Sequence, residues 1–427
     1  MRRPSPLSFR AFACAACLLP PCGWWIHHGF GHEGDLAFFH GWARAFSEGP
    51  AFYRDGPGVN YPILGALLVC LPTTGWVSVV GGELDFPTFH AVHKGVLVLG
   101  EIALVFASAR LAKTLGAPRP RWLALGLCLL PSSWAGGAWF GQTDVYGTLA
   151  LVAAADGLLR YRRNGHGRSL ARGVLWLHAA LLLKQLTWFA IPSLLILLLL
   201  GLRAARSGAR RRTHVGWVLA SPLLWLVADP WLSLPDGHIS HLVYVVVRSA
   251  GDHGSLLVAN GASVWVLLRS SGLAASDPWL GPVSPSQLGW AVWLFGAGMW
   301  VAKAIGRADD GALVRGAGVT SLVMALFLTG VHERYLAHAV PLLFLATAGR
   351  LRWAIGVLGV VSGLFVMSSV HSELAWAGRP EPVLFGALGC LGLLAVSGWE
   401  KMSEVTHAPE IQILAPKPAK AWRSLDI

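Results

Sequence analysis

The 427-residue chain is 54% apolar and only 13% charged, with a mean hydropathy of +0.55. Those figures place it among polytopic membrane proteins and exclude a soluble globular fold. A net charge of +12 does not mark a nucleic-acid binder, because Lys and Arg gather in short clusters between apolar runs rather than on one basic face. Six cysteines, Cys14, Cys17, Cys22, Cys70, Cys128 and Cys390, lie in or beside apolar stretches and imply neither a disulfide framework nor a metal site.

Taken in chain order, the N-terminal "MRRPSPLSFRAFACAACLLPP" has the charge and length of a signal peptide. It lacks a small-x-small cleavage site and reads as an uncleaved first span. A helix crossing about 30 Å of hydrocarbon needs about 20 apolar residues. Runs suited to this lie near 10–28, 61–81, 92–112, 121–139, 145–160, 172–203, 214–231, 288–305, 312–330, 335–349, 352–371 and 382–399. The run 172–203 divides in two at "LLLKQLTWFAIP", where Lys184, Gln185 and Pro192 mark one helix ending and another beginning.

Orientation follows from the basic clusters, which favour the cytoplasmic side. These are the N-terminus, 110–121, 160–172, 203–212, Arg307 with Arg315, Arg350 with Arg352, and the tail. They all share one side only if 61–81 does not cross, and its Pro62, Pro72, Thr73 and Thr74 suit a re-entrant or interfacial helix pair. The expected architecture is therefore all-α, with about twelve spans and both termini cytoplasmic. Residues 1–400 form a single transmembrane domain with external loops at 29–91 and 232–287, and 401–427 form a flexible cytoplasmic tail.

That orientation gathers the unusual polar residues on the outer face. In "GDLAFFHGWARAF", Leu36, Phe39, Trp42, Ala43 and Phe46 recur at helical spacing, giving an amphipathic helix suited to the headgroup region. Asp35 stands where its N-cap would be. A cap there stabilises a helix by about 1 kcal/mol, and the same carboxylate can act as a base if its free oxygen faces a substrate. Asp55, in an Asp-Gly-Pro sequence, reads as turn chemistry. In "WFGQTD", Gln142 and Asp144 can hydrogen-bond a sugar, Thr143 and Asp144 can cap the next helix, and the two roles do not exclude each other. Lys184 lies in an apolar context that costs several kcal/mol unless the ammonium snorkels or meets an anion. Arg248 and the trio His332, Glu333 and Arg334 add polar groups to the same face, where a salt bridge from Arg334 to Glu333 or Asp252 is the simplest alternative to ligand binding. Glu101, inside a span, reads as a partner for a neighbouring helix. Dinucleotide, P-loop, HExxH and nucleophile-elbow motifs are missing from the sequence.

These residues resemble the GT-C integral-membrane glycosyltransferases, which take sugar from polyprenyl-phosphate donors. "GDLAFFHGWARAF" with "FYRDGPGVNYP" looks like their Asp-containing loop and aromatic-Pro element. "FGQTD" is similar to their GQ-type motif, and "LLLKQLTWFAIP" to the Lys-Gln segment of the ALG-type glucosyltransferases. "VANGASVW" resembles a region of that branch, and "VHERYLAHAVPLL" the HE(R/K) motif it shares with the GPI-mannosyltransferase-like bacterial group. The sequence departs from the family in lacking a second acid beside Asp35 and in carrying "NYPI" for a double proline.

The resemblance implies a GT-C-like fold in the bacterial cytoplasmic membrane that transfers a hexose, mannose or glucose, to an acceptor hydroxyl on the outer face by inverting displacement. Asp35 would be the base. Lys184, Arg248 and Arg334, with His332, would hold the phosphate, and Gln142, Asp144, Gln185 and Glu333 complete the substrate-binding set. The expected partners are a polyprenyl-phosphate-linked sugar, a lipid, glycan or protein acceptor, and membrane lipids, with no cofactor and no metal strictly required. A transporter or flippase for a lipid-linked anion is the alternative, although such proteins favour internal repeats and midplane polar sites.

Overall fold

The computed structural model describes residues 7–27, 31–49, 53, 58–204, 208–223, 225, 240–253, 255–307 and 310–405. Among them the regular secondary structure is all helix, with no β-strand. Six segments are long and apolar enough to cross a membrane: Ile63–Val80, Phe86–Thr114, Gln185–Arg203, Asp310–Phe327, Gly349–Ser368 and Leu374–Val396. That is the composition a multi-pass membrane protein requires.

The first helix, α1 (Phe9–His27), is followed by the amphipathic α2 (Glu33–Glu48), whose Leu36, Phe39, Trp42 and Ala43 are buried as its periodicity predicts. Its N-cap is His32 rather than Asp35. The His32 ring accepts a hydrogen bond from the Asp35 amide at 3.2 Å, so the Asp35 carboxylate takes no part in capping. The turn expected around Asp55 lies outside the described residues.

Segment 61–81 forms one continuous helix, α3 (Ile63–Val80), with Pro72 inside it, instead of a helix pair. Both flanks of α3 touch α2, Tyr61 through the rings of Phe39 and Trp42 and Leu84 through His40. Tyr61 precedes it at the polar cluster described below, and after it the Leu84 carbonyl lies 2.9 Å from His40 Nε2 on α2. The next helix, α4 (Phe86–Thr114), has Asp85 as N-cap to the Thr88 amide at 2.8 Å. It is back at the cluster by His93, whose Nε2 lies 2.8 Å from the Gly141 carbonyl.

The run 121–139 is only partly α-helical: α5 (Pro120–Cys128), which Pro120 opens at N1, gives way to a 3-10 turn and a π-turn, Ala135–Trp139. The helix α6 (Asp144–Asn164) is the buried centre of the bundle. It ends at Gly165 in the left-handed conformation and packs against α7 (Gly167–Leu183). A Cβ on Gly157 would lie 2.6 Å from the Gly173 Cα, so small residues let these two backbones touch. Where lipid removes most of the hydrophobic driving force, that close van der Waals contact is what holds helices together.

The break expected at Lys184 is present. Lys184 has extended dihedrals, φ −154 and ψ 127, and a 3-10 turn, Gln185–Ala190, leads into α8 (Ile191–Arg203). Thr187 Oγ1 donates to the carbonyls of Ala180 and Lys184, both at 2.7 Å, and Trp188 Nε1 donates to Leu181 at 2.9 Å. Those bonds satisfy carbonyls that an interrupted apolar helix would otherwise strand.

Among the described residues the further α-helices are α9 (Gly208–Ala220), α10 (His241–His253), α11 (Pro285–Arg307), α12 (Asp310–Phe327), α13 (Ala339–Ala346), α14 (Gly349–Ser368) and α15 (Pro380–Val405). The last of these carries helix five residues past the boundary expected at 400, and the rest of the expected tail, 406–427, lies outside the described residues. So do 232–239 of the second external loop.

The bundle has two chemically distinct ends. At one, Asp156 meets Arg110 at 3.3 Å, Arg160 at 2.8 Å and Thr114 Oγ1 at 2.5 Å, while Asp310 meets Arg162 at 3.1 Å and Arg163 at 2.7 Å. Arg315 and Arg352 donate to carbonyls at the end of α13. These contacts join the last turns of α4, α6 and α13 to the first turns of α12 and α14. The other end holds the start of α2, Tyr61, the π-turn, the start of α6, Lys184 and the residues before α13.

Candidate active site

The second end contains a buried polar cluster assembled from segments far apart in sequence. The π-turn supplies its floor. Lys94, fully buried on α4, donates to the carbonyls of Ala138 and Trp139, the latter at 2.6 Å, while Glu101 Oε1 accepts the Ala138 amide at 2.9 Å. A Lys and a Glu seven residues apart on one helix thus hold the donor and acceptor of one peptide neighbourhood. The neighbouring-helix partner expected for Glu101 is this backbone. Gly141 follows at φ +103, and a Cβ there would lie 2.8 Å from Leu36 Cδ2. Only glycine combines that dihedral with that contact. His32 stacks on Phe140, with ring centroids 4.9 Å apart, and its amide donates to the Phe140 carbonyl at 2.9 Å. The start of α2 is thereby fixed to the turn that carries Gln142.

From this floor a hydrogen-bonded chain crosses the cluster. Lys184 Nζ donates to the Tyr61 hydroxyl, Tyr61 donates to Gln142 Oε1, and Gln142 Nε2 donates to Asp35 Oδ2. Lys184 also reaches Gln142 Oε1 at 3.0 Å and sits 3.9 Å from the centroid of the Tyr61 ring.

Asp144, at the first position of α6, is 1% exposed. Lys184 at 3.4 Å, Arg334 Nε at 3.6 Å and His338 Nε2 at 4.0 Å surround it, the last positioned by Thr148 Oγ1 at 2.9 Å. Arg334 joins the halves of the cluster, lying 2.9 Å from Glu333, 3.8 Å from Asp35 and 5.0 Å above the Phe140 ring. Burial works against its charge, but Glu333, Asp35 and Asp144 outweigh burial and raise its pKa. Buried charges cost several kcal/mol each unless paired in this way.

Of the sequence-derived site residues, the structure brings together Asp35, Gln142, Asp144, Lys184, Glu333 and Arg334. His332 stands beside them, with Nδ1 3.9 Å from Glu333 and its ring tilted on Tyr335. Gln185 points elsewhere, donating to the Asn60 carbonyl at 3.3 Å and so supporting the chain just before Tyr61. Arg248 is exposed on α10 and lies over Gly58, with a guanidinium nitrogen 3.2 Å from where a Cβ there would be. Sequence reasoning missed Tyr61, Lys94, His93 and His338. Lys94 carried a readable signal, a cation in the apolar run "HAVHKGVLVLGEIALVF"; Tyr61 carried none beyond its proline neighbour.

Exposure ranks the charged groups. Asp35 is 28% exposed at its side chain, Arg334 11%, and Asp144, Lys184 and Glu333 3% or less. Among the described residues no group of three His, Cys, Asp or Glu side chains is arranged to hold a metal ion. Comparison of the chain with protein-family models, with curated proteins and with solved structures returned no match.

Proposed function

We propose that this protein is an integral-membrane glycosyltransferase of the GT-C kind, moving a hexose from a polyprenyl phosphate to an acceptor hydroxyl. The observation that carries this reading is the pairing of the cluster's most accessible carboxylate, Asp35, with its most accessible cation, Arg334, at 3.8 Å. Gln142 occupies Oδ2 of Asp35, and Oδ1, which lies 3.7 Å from His32 Nδ1, would take the proton. The acceptor oxygen attacks the anomeric carbon as its proton passes to Asp35. The bond from that carbon to the phosphate oxygen breaks, and the electron pair leaves with the polyprenyl phosphate.

Arg334 would offer guanidinium N–H groups to the departing phosphate, a planar donor set suited to such oxygens. Lys184 and Asp144, more deeply buried, would act behind them, holding Tyr61, Gln142 and Arg334 in register; that assigns Lys184 a positioning task instead of direct phosphate contact. The prenyl chain would run down a cavity of about 190 Å³ between α1, α4 and α5, lined by Leu104, Val105, Leu127 and Trp134. Divalent metal has no step in this scheme.

Twelve crossings with both termini cytoplasmic fit this arrangement, with α3 lying at the interface. Its flanks, Tyr61 and Leu84, both contact site-end residues, and its Trp76, Val79 and Val80 are exposed. The basic end then faces the cytoplasm and the cluster faces outward. A cysteine introduced by Asp85→Cys is expected to react with an impermeant maleimide added from outside; labelling only after permeabilisation would mean that α3 crosses.

The decisive experiment is sugar transfer from radiolabelled polyprenyl-phosphate mannose and glucose by purified protein. Asp35→Asn is expected to lower turnover by about 10²–10⁴-fold while leaving the fold intact. Full turnover in a folded Asp35→Asn variant would remove the base assignment. Movement of intact lipid-linked sugar across vesicles without transfer would favour the transporter reading.

A further inference from the structure

Positive charge goes uncompensated along the sequence of α7, α8 and α9. Between Asp156 and Asp229 the chain holds no acid, yet Arg203, Arg206, Arg210, Arg211 and Arg212 all fall in 203–212. Arg203 closes the last turn of α8, where a cation suits the helix dipole. Arg211 stands in the first turn of α9, which holds no acid and where a cation is disfavoured. Both side chains are exposed, and among the described residues neither meets a carboxylate. They lie at the basic end of the bundle: a Cβ on Gly201 would be 3.7 Å from the Arg162 Cα, and His214 Nδ1 on α9 is 2.9 Å from the Tyr161 hydroxyl.

Arg203 and Arg211 line one end of a cavity of about 480 Å³ between α8, α9 and α11, whose remaining wall is wholly aliphatic. Leu198 and Leu202 are its buried side, while Leu195, Leu199, Leu219 and Ile305 form an exposed rim. From Leu195 to Arg203 the groove follows α8 for about 12 Å. That is close to one leaflet of a hydrocarbon core about 30 Å thick, and α8 belongs to a segment apolar enough to cross such a core. An acyl chain of one leaflet therefore fits the groove with an anion at the two arginines. Free phosphate would leave the aliphatic wall unused, and a lipid without net charge would leave the arginines uncompensated.

We infer that this groove binds an anionic glycerophospholipid, with its phosphate between Arg203 and Arg211 and one acyl chain along Leu198, Leu202 and Val218. Guanidinium groups present planar donor sets to phosphate oxygens, and basic pockets between membrane helices hold lipid headgroups. The inference is independent of the glycosyltransferase reading, which concerns the other end of the bundle.

The test uses the full-length protein in mild detergent, with native mass spectrometry counting retained lipid and Trp fluorescence following thermal unfolding. Phosphatidylglycerol is expected to be retained at about tenfold lower concentration than phosphatidylcholine, and to raise the unfolding temperature. Arg203→Gln combined with Arg211→Gln is expected to abolish that preference, and the two Arg→Lys changes to keep it. Should the double Gln variant fail to fold, Arg211→Gln alone is expected to reduce the preference in the same direction. Arg163→Gln, at the same end but outside the groove, is expected to leave it unchanged. Val218→Phe, which fills the groove from α9, is expected to weaken phosphatidylglycerol retention with both arginines in place. Equal retention of the two lipids, an unchanged preference in the Gln variants, or unchanged retention in Val218→Phe would overturn the proposal. An equal loss in Arg163→Gln would also overturn it, since the preference would then belong to overall charge. So would inorganic phosphate reproducing the full stabilisation with phosphatidylglycerol adding nothing, since the arginines would then form a site for free phosphate.

Discussion

The two ends of the bundle use the same residue types to opposite effect. At the site end Lys184, Arg334 and the carboxylates of Asp35, Asp144 and Glu333 are packed into one buried network, where each charge is tolerable only because the others are present. At the basic end Arg110, Arg160 and Arg163 meet Asp156 and Asp310 from partly exposed positions, and Arg315 and Arg352 also bond backbone carbonyls. The difference is one of solvation. At the basic end Asp156 is itself buried but its arginines are a third to a half exposed and open to screening, whereas at the site end the cations Lys184 and Arg334 are largely buried as well, so protein carboxylates must supply their counter-charge.

The comparison can be broken most readily at Arg334. Arg334→Ala would leave Asp35, Asp144 and Glu333 without their shared cation. Breaking a buried pair of this kind costs about 3–5 kcal/mol, and a matching loss in denaturant stability is expected; a loss below about 1 kcal/mol would mean that the cluster is solvated like the other end. A smaller effect is expected for Lys94→Met, which removes the donor from the Ala138 and Trp139 carbonyls. Stranding buried acceptors costs about 1–3 kcal/mol, and increased hydrogen exchange confined to residues near the π-turn would locate the damage. Smallest of all should be Arg163→Gln. Its side chain is 47% exposed and Asp310 keeps Arg162 at 3.1 Å, so an unfolding shift of under about 1 kcal/mol is expected. A shift as large as that of Arg334→Ala would erase the distinction between the ends.

Much of the fold was legible because the signals were local. Apolar runs gave helices close to their expected limits, the helix break at Lys184 fell where a cation interrupts "LLL" and Pro192 follows, and α2 buried the face its periodicity marked. The failures were local competitions decided by neighbours. His32 became the α2 cap because its ring also stacks on Phe140, a contact invisible in the sequence, and this freed Asp35. The segment 121–139 reads as one span but bends into a π-turn, because Lys94 and Glu101 from another helix hold its backbone.

For the site, the sequence supplied the candidates without the pairings. Asp35, Gln142, Asp144, Lys184 and Arg334 stood out as polar residues beside apolar runs, and six of the nine expected residues do converge. Gln185 and Arg248 could not be separated from them by pattern, since each has the same composition around it; only the direction of one helical turn sends Lys184 inward and Gln185 to Asn60.

By itself, the sequence determined that the chain is helical and membrane-like, where its helices break, and that its basic residues share helix ends. Those properties follow from hydropathy and charge averaged over short windows, which do not depend on distant parts of the chain. Tertiary structure alone decided that Tyr61 links Lys184 to Gln142, that Lys94 holds the π-turn, and that Asp35 keeps an oxygen unengaged by Gln142. Each of those depends on directional contacts between segments 42 to 123 residues apart, and a hydrogen bond that succeeds or fails over a fraction of an ångström leaves no trace in composition.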